Sequence, residues 1–539
     1  MESRRRAPVS ASRKTAPQRV TATTKATPKA KPVKRNGKVP AEAPAPAPAS
    51  RKRKPAPSEA RRGRASAAKP APPQPRPVKR TKTSRAEKGR DSPAVINQRA
   101  NEAVSVFVFG GGDSGELGLG PKRTETARPL KNPFLDPGQK STLHVTDIAC
   151  GGMHTVALTV DNQIVTWGVN DNMALGRKTE WDGGLRDLDD ESDSEAGELN
   201  PFESTPTAIP PEHFAPGTVF VSVAAGDSCS FALTNTGLVY GWGTFRDPEG
   251  NDSFGYSADG AVVEKQATPV LVQGLEKITQ IACGANHAFA LDARGYIWGW
   301  GCGRQNQFLR RVFGRHQDTL RPQVVRACRG TTRYVACGEY HCFAVDRSDN
   351  VWGWGLNGYG EAGDASTAGG DAAFVARAVK IPALCGRGVT LLAGGAHHSA
   401  ALTADGDCLV WGRLDGGQLG LGLGTGTGIG IGLSAEQVAD ARHVRCDERG
   451  RPRICLVPTV VPGLGAAVSH VACGTEHTIF VTAQGRAFAT GFNSSGQLGL
   501  GTDEDAEVPR QIGGKHVEGR TLVWAGAGGQ FSVVAANAG

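Results

Sequence analysis

Residues 1–90 contain no Phe, Trp, Tyr, Asp or Cys, and the whole 539-residue chain has only 3 Met, 6 Tyr and 6% aromatics. A segment without aromatic bulk has too little apolar surface to offset the entropy of ordering it. Acidic residues are almost missing there as well: 27 Lys+Arg face 4 Glu, a net of +23, and 15 of the 33 Pro lie in the same stretch. We read residues 1–95 as a disordered basic tail. The remainder, 91–539, has 35 Lys+Arg against 48 Asp+Glu, a net of −13. Long hydrophobic runs are absent too. The one long uncharged run, Gly416 to Ala435, is about half glycine, too weakly apolar to span a bilayer. A basic start without an apolar h-region argues against secretion, so no membrane partner is expected. The 12 Cys lack paired C-x-x-C spacing, which leaves neither a zinc site nor a disulfide framework to expect. No metal or cofactor is expected.

Glycine is what the body has in excess, 69 residues or about 15%, twice the norm of roughly 7%. No helical period of apolar residues accompanies it. Instead the phrase Ile148-Ala149-Cys150-Gly151-Gly152-Met153-His154-Thr155-Val156-Ala157-Leu158, followed by Trp167-Gly168, returns around Gly226, Gly284, Gly338, Gly395, Gly474 and Gly528. The spacings of 75, 58, 54, 57, 79 and 54 residues mark a propeller, solenoid or array. Each copy has short apolar runs divided by glycine and by a turn such as Asp405-Gly406, as in antiparallel hairpins. Seven copies in 449 residues leave about 64 each, enough for four strands and loops. Val106-Phe107-Val108-Phe109 resembles the last third of a repeat, and the final copy stops at Ser532-Val533-Val534-Ala535 without that third. The expected fold is an all-β seven-bladed β-propeller over 105–537, one blade completed by both termini. The two long spacings mark insertions at 182–200 and 422–453, which receive no function.

The C-G-x-x-H-T-x-A-L units with W-G and G-Q-L-G-L-G resemble the regulator of chromosome condensation family. Phe202 to Pro206, Ala224 to Phe231, Trp242-Gly243-Thr244-Phe245-Arg246-Asp247 and Trp298 to Gly303 are similar to its fungal nuclear members. These are guanine-nucleotide exchange factors for the small GTPase Ran. The resemblance implies a nuclear, chromatin-associated factor supporting nucleocytoplasmic transport and mitotic control. Its partners would be Ran, nucleosome histones and DNA, and nuclear import receptors, and it would release nucleotide without covalent chemistry.

The third residue after the repeat glycine is His154, Cys229, His287, His341, His398, His477 and Phe531 in turn. A periodic His invites a metal reading, but replacement by Cys and Phe fits a structural hydrogen bond better. The two residues before it vary, as a scaffold's site residues do when loops converge on one face. By resemblance, Asp227 and His397 match the family's interface residues, Asp113 joins them, and Asn286 stands where relatives have an acid. A plain loop-capping role is the alternative for each. The segment Thr244 to Tyr256, with Arg246, Asp247, Pro248, Glu249, Gly250, Asn251 and Asp252 at its heart, is rich in turn formers. The resemblance makes it the wedge pressed against the GTPase's phosphate-binding loop, where distortion of the backbone N–H cradle disfavours bound phosphate.

Arg310, Arg311 and Arg315 form a basic loop in an acidic body. By resemblance it grips the acidic patch of the nucleosome, where Arg pairs bidentately with carboxylates. In the tail, Arg51, Lys52, Arg53, Lys54, Arg61, Arg62, Arg64, Lys79, Arg80 and Lys82 suit phosphate contact without base readout, or nuclear import. Gly110-x-Gly112-x-x-Gly115 and Gly353-x-Gly355-x-x-Gly358 match a dinucleotide fingerprint by letter only, since no helix is expected after either. The competing reading is a chromatin-binding propeller scaffold without exchange activity.

Overall fold

The computed structural model describes residues 94–183, 198–310, 319–328, 330–370, 373–422 and 432–538. The tail clusters, Arg311, Arg315 and parts of both insertions lie outside these residues. Seven sheets of four or more strands follow one another along the chain, making a seven-bladed propeller. Blade 1 is typical: Val145–Cys150, His154–Thr159, Ile164–Gly168 and Thr207–Ala208 pair antiparallel in chain order. In the second strand all six residues are buried, because both faces of each sheet pack against a neighbouring blade.

The seventh blade joins the two ends of the described chain. Val104–Gly111 pairs with Phe531–Asn537, in register from Val104 opposite Asn537 to Gly110 opposite Phe531. Glu125–Lys131 and Leu522–Ala527 complete that sheet. Closure through the terminal strands leaves the ring without the exposed sheet edges of an open array. Among the described residues helix is confined to short pieces such as Pro201–Ser204 and Ala435–Ala439, and no helix is long and apolar enough to cross a membrane.

The repeated histidines bind blade to blade. His154 Nε2 is 2.8 Å from Ser230 Oγ, and the Ser230 hydroxyl donates to the Ala174 carbonyl. With that hydroxyl proton spent, the imidazole N–H is the donor. His341 reaches Ser399, His398 reaches Thr478 and His477 reaches Ser532 in the same way, always one blade onward. Their hydroxyls donate to the carbonyls of Glu361, Gln418 and Gln497. His287 meets Cys342 Sγ instead, at 3.3 Å. Burial pushes His154 and His477 down to about 4 and His287 and His398 down to about 3, so these rings are neutral cross-links rather than bases. The structural reading of the His series is therefore what the geometry bears out.

The W-G pair has an equally local cause. Gly168, Gly243 and Gly412 have φ of +103°, +93° and +109°, and a Cβ there would stand 2.4, 2.2 and 2.6 Å from the carbonyls of Met153, Ser228 and His397. Only glycine tolerates both the angle and the approach. The indoles of Trp242 and Trp411, fully buried, donate to the carbonyls of Ala174 and Glu361. Each of those carbonyls thus accepts both an indole and a hydroxyl from the next blade.

Candidate functional site

Antiparallel pairing decides which loops share a face. The start of each second strand lies opposite the end of the third, as His154 does with Gly168, Cys229 with Gly243 and His398 with Gly412. The loops between first and second strands and those between third and fourth strands therefore emerge on one side of the ring. The first set meets at the axis, where Gly151, Gly226, Gly284, Gly338, Gly474 and Gly528 line a cavity of about 100 Å³. Backbone N–H groups there donate to the next loop: Asp227 to Ala285, Ala285 to Glu339, Glu339 to Gly395 and Gly529 to Gly152, at 2.8–3.1 Å. This belt holds the variable loop residues on a rigid base.

Asp227 and Glu339 line the mouth of that cavity. Asp227 opens to solvent, yet crowding by the surrounding loops raises its carboxyl, while Arg246 draws it back down. Glu339 is raised by burial and by Asp227, with Thr475 and His397 opposing. Glu476 is held by Arg413 and by Gln418, both at 2.8 Å. Glu339 and Glu476 make the mouth more acidic than the interface expected from sequence, and their place in the variable pair of the phrase was the signal available for both.

The Thr244–Tyr256 segment leaves blade 2 on the same face. It forms two hairpins: Phe245–Arg246 pairs with Asp252–Ser253, and Gly255–Tyr256 pairs with Val262–Val263, beyond the bounds read from sequence. Phe245 and Phe254 stack at 5.9 Å and 7° and pack on Phe231, which anchors the base in the core. The tip is a tight turn. Asp247 is buried, and its carboxylate accepts the Asn251 backbone N–H at 2.8 Å and the Asn251 amide at 2.9 Å. Gly250 at φ +84° completes it. Asp247 thus shapes the turn, while Arg246, Pro248, Glu249, Gly250 and Asn251 are exposed. Asp252 is half-buried between Arg246 and Lys265, at 3.2 and 3.4 Å.

Asn286, where an acid was the family's pattern, accepts the Arg246 backbone N–H on Oδ1 at 2.7 Å. An amide oxygen supplies that acceptor as well as a carboxylate would. Arg246 also donates to Asn172, tying the wedge to the neighbouring blade's loop. Arg304 pairs with Glu249 at 2.7 Å across to blade 3. Asp113 is exposed in the corresponding turn of the closing blade, and His397 lies at the axial end of blade 5. Arg310 contacts Gln323 and lies over the Phe308 ring at 5.8 Å. One face therefore gathers Asp113, Asp227, Asn286, His397 and the wedge.

The family described as RCC1-like domain matches residues 105–534. The chain belongs to the RCC1-like family. It is 36% identical over 442 residues to the guanine nucleotide exchange factor SRM1 of Saccharomyces cerevisiae, covering 80% of this chain and 87% of that protein. It is 34% identical to protein pim1 of Schizosaccharomyces pombe, covering 85% and 80%, and 32% identical to the human regulator of chromosome condensation, covering 81% and 91%. Among solved structures, it resembles Prp20p of Saccharomyces cerevisiae, described with its binding to Gsp1p and histones, at 34% identity and a TM-score of 0.70 over 81% of this chain and 92% of that one. It also resembles yeast RCC1 (Prp20) bound to Kap60, at 33% identity and a TM-score of 0.71 over 85% and 96%. This RCC1-like propeller differs from the plain repeat in the wedge, the acidic mouth and the blade 5 insertion.

Proposed function

We propose that the protein is a guanine nucleotide exchange factor for a Ran-type GTPase, and that the wedge face is where the GTPase sits. The observation that carries the reading is the rigid wedge whose exposed tip stands on the same face as the acidic mouth. A wedge anchored by Phe245 and Phe254 keeps its shape when pressed against a phosphate-binding loop, and a displaced N–H cradle holds phosphate less well. Nucleotide and exchange factor then weaken each other's binding by one common factor, so the ternary complex loses GDP quickly. No covalent step is needed. The acidic body steers a GTPase with basic contact regions, which raises the association rate more than the affinity.

Histone contact by Arg310, Arg311 and Arg315, and DNA or import-receptor contact by the tail clusters, complete the proposal and place the protein on nuclear chromatin. The histones and Kap60 associated with the yeast relatives support that part. The test is release of a fluorescent GDP analogue from Ran by the full chain, by Asp227→Ala and by deletion of Pro248 to Asp252. Rapid release by the full chain and a loss of at least tenfold in both folded variants is expected. Normal release by both variants would remove the wedge mechanism, and no release by the folded full chain would leave a chromatin scaffold.

A further inference from the structure

Glu361 is a fully buried carboxylate on the interface side of blade 4. It occupies the repeat position held by Gln307, Gln418 and Gln497 in blades 3, 5 and 6. In blades 3, 4 and 6 the side-chain oxygen at that position caps its own turn. Gln307 accepts the Gln305 N–H at 2.9 Å, Gln497 accepts the Ser495 N–H at 2.8 Å, and Glu361 Oε2 accepts the Tyr359 N–H at 2.7 Å. Glutamine therefore suffices for the turn, and the second oxygen of Glu361 is left over. Oε1 is buried without a hydrogen-bond partner, as is Nδ1 of His397, and the two atoms lie 3.6 Å apart. A small ring rotation brings them within hydrogen-bond distance.

Blade 5 repeats the arrangement with other chemistry. There Gln418 turns its amide N–H toward Glu476, the residue of blade 6 that corresponds to His397. In both places the turn residue of one blade supplies the complement to the variable loop residue of the next: an amide donor for a carboxylate, a carboxylate for an imidazole N–H. We infer that Glu361 is a positioning residue that holds a proton of His397 on Nδ1, so that the singly protonated ring presents Nε2 to the partner as an acceptor. The His397 side chain is 29% exposed with Nδ1 buried, so the exposed edge is the one bearing Nε2. Tyr359, its ring 4.9 Å away, backs the imidazole, with Arg413 stacked over that ring. An accepting His397 adds to the acceptors Asp227, Glu339 and Glu476 on this face.

Glu361→Gln inverts the ring. The single amide oxygen stays on the Tyr359 N–H, the NH₂ group faces Nδ1, and the imidazole proton must move to Nε2. The fold is unaffected, since Gln serves this turn in blades 3 and 6. In the full chain, ¹⁵N spectra of the His397 ring, assigned with His397→Gln, are expected to show the proton on Nδ1 in the wild type and on Nε2 in Glu361→Gln. The consequence for exchange rests on the interface reading above: kcat/KM for GDP release should fall about tenfold through KM, the cost of one mispaired donor. Glu361→Gln should add nothing once His397→Gln is present. A wild-type proton on Nε2, an unchanged ring in Glu361→Gln, or additive losses in the double variant would overturn the inference. If the proton moves as expected while His397→Gln leaves exchange intact, the coupling stands and the placement of His397 in the GTPase interface fails.

Discussion

Replacing Asn286 with alanine removes the side-chain oxygen that accepts the Arg246 N–H at 2.7 Å, where the wedge leaves blade 2. Arg246 is exposed, so its freed N–H turns to water and the cost falls in the middle of the usual range, about 1 kcal/mol. The stacked Phe245 and Phe254 still hold the hairpin to the core, so the wedge stays folded but loses one restraint on its angle. One kcal/mol is about fivefold in an equilibrium constant, and kcat/KM for GDP release should fall by about that factor. Asn286→Asp keeps an acceptor at the same atom and should stay within about twofold of wild type. Thermal unfolding should move little in either variant, because one exposed hydrogen bond is small against the stability of the whole ring. Wild-type exchange by Asn286→Ala, or equal impairment of Asn286→Asp, would show that the bond to Arg246 does not set the wedge.

Acid should unfold the propeller through its histidine cross-links. Held down by burial, to about 4 for His154 and His477 and about 3 for His287 and His398, they stay neutral when folded, whereas the unfolded chain takes up protons below about 6.5. Stability is therefore full above about 6.5 and falls with pH below it, by about 1.4 kcal/mol per unit for each ring. The raised carboxyls of Asp147 and Glu116 oppose this by binding protons in the fold. Urea midpoints at pH 7, 6 and 5 should decrease in order, and a flat series would remove the argument. Trp242→Ala, which empties a fully buried site and leaves the Ala174 carbonyl only the Ser230 hydroxyl, should cost about 3–5 kcal/mol, read from urea unfolding. Cys446 is exposed, while burial pushes Cys150 and Cys473 up to about 12. A thiol reagent should label Cys446 first in the native protein, and Cys446→Ser should abolish that fast phase.

The repeat made the blades legible because every blade solves the same local problem. The glycine after each tryptophan is forced by a positive φ against a neighbouring carbonyl, and such a demand leaves a letter in every copy. The histidine series was equally readable, since substitution by Cys and Phe pointed to a cross-link rather than to chemistry. Asp247 was less so. As a member of an exposed turn it looked like a contact residue, and only the hairpin shows its carboxylate turned inward on Asn251. Asn286 illustrates the same limit: its letter left its role open, and only the distance to Arg246 shows that it accepts a hydrogen bond from the hairpin.

Sequence alone determined the propeller, its seven units and the turn-rich segment after Trp242, because these depend on spacing and on residues whose backbone needs are local. The tertiary structure decided which variable residues stand together. Asp227, Glu339 and Glu476 come from blades 2, 4 and 6, and Glu361 faces His397 across a blade boundary. Their proximity follows from closure of the ring, which brings loops far apart in sequence to one axis, and no periodicity within a single repeat records which neighbour each side chain will meet.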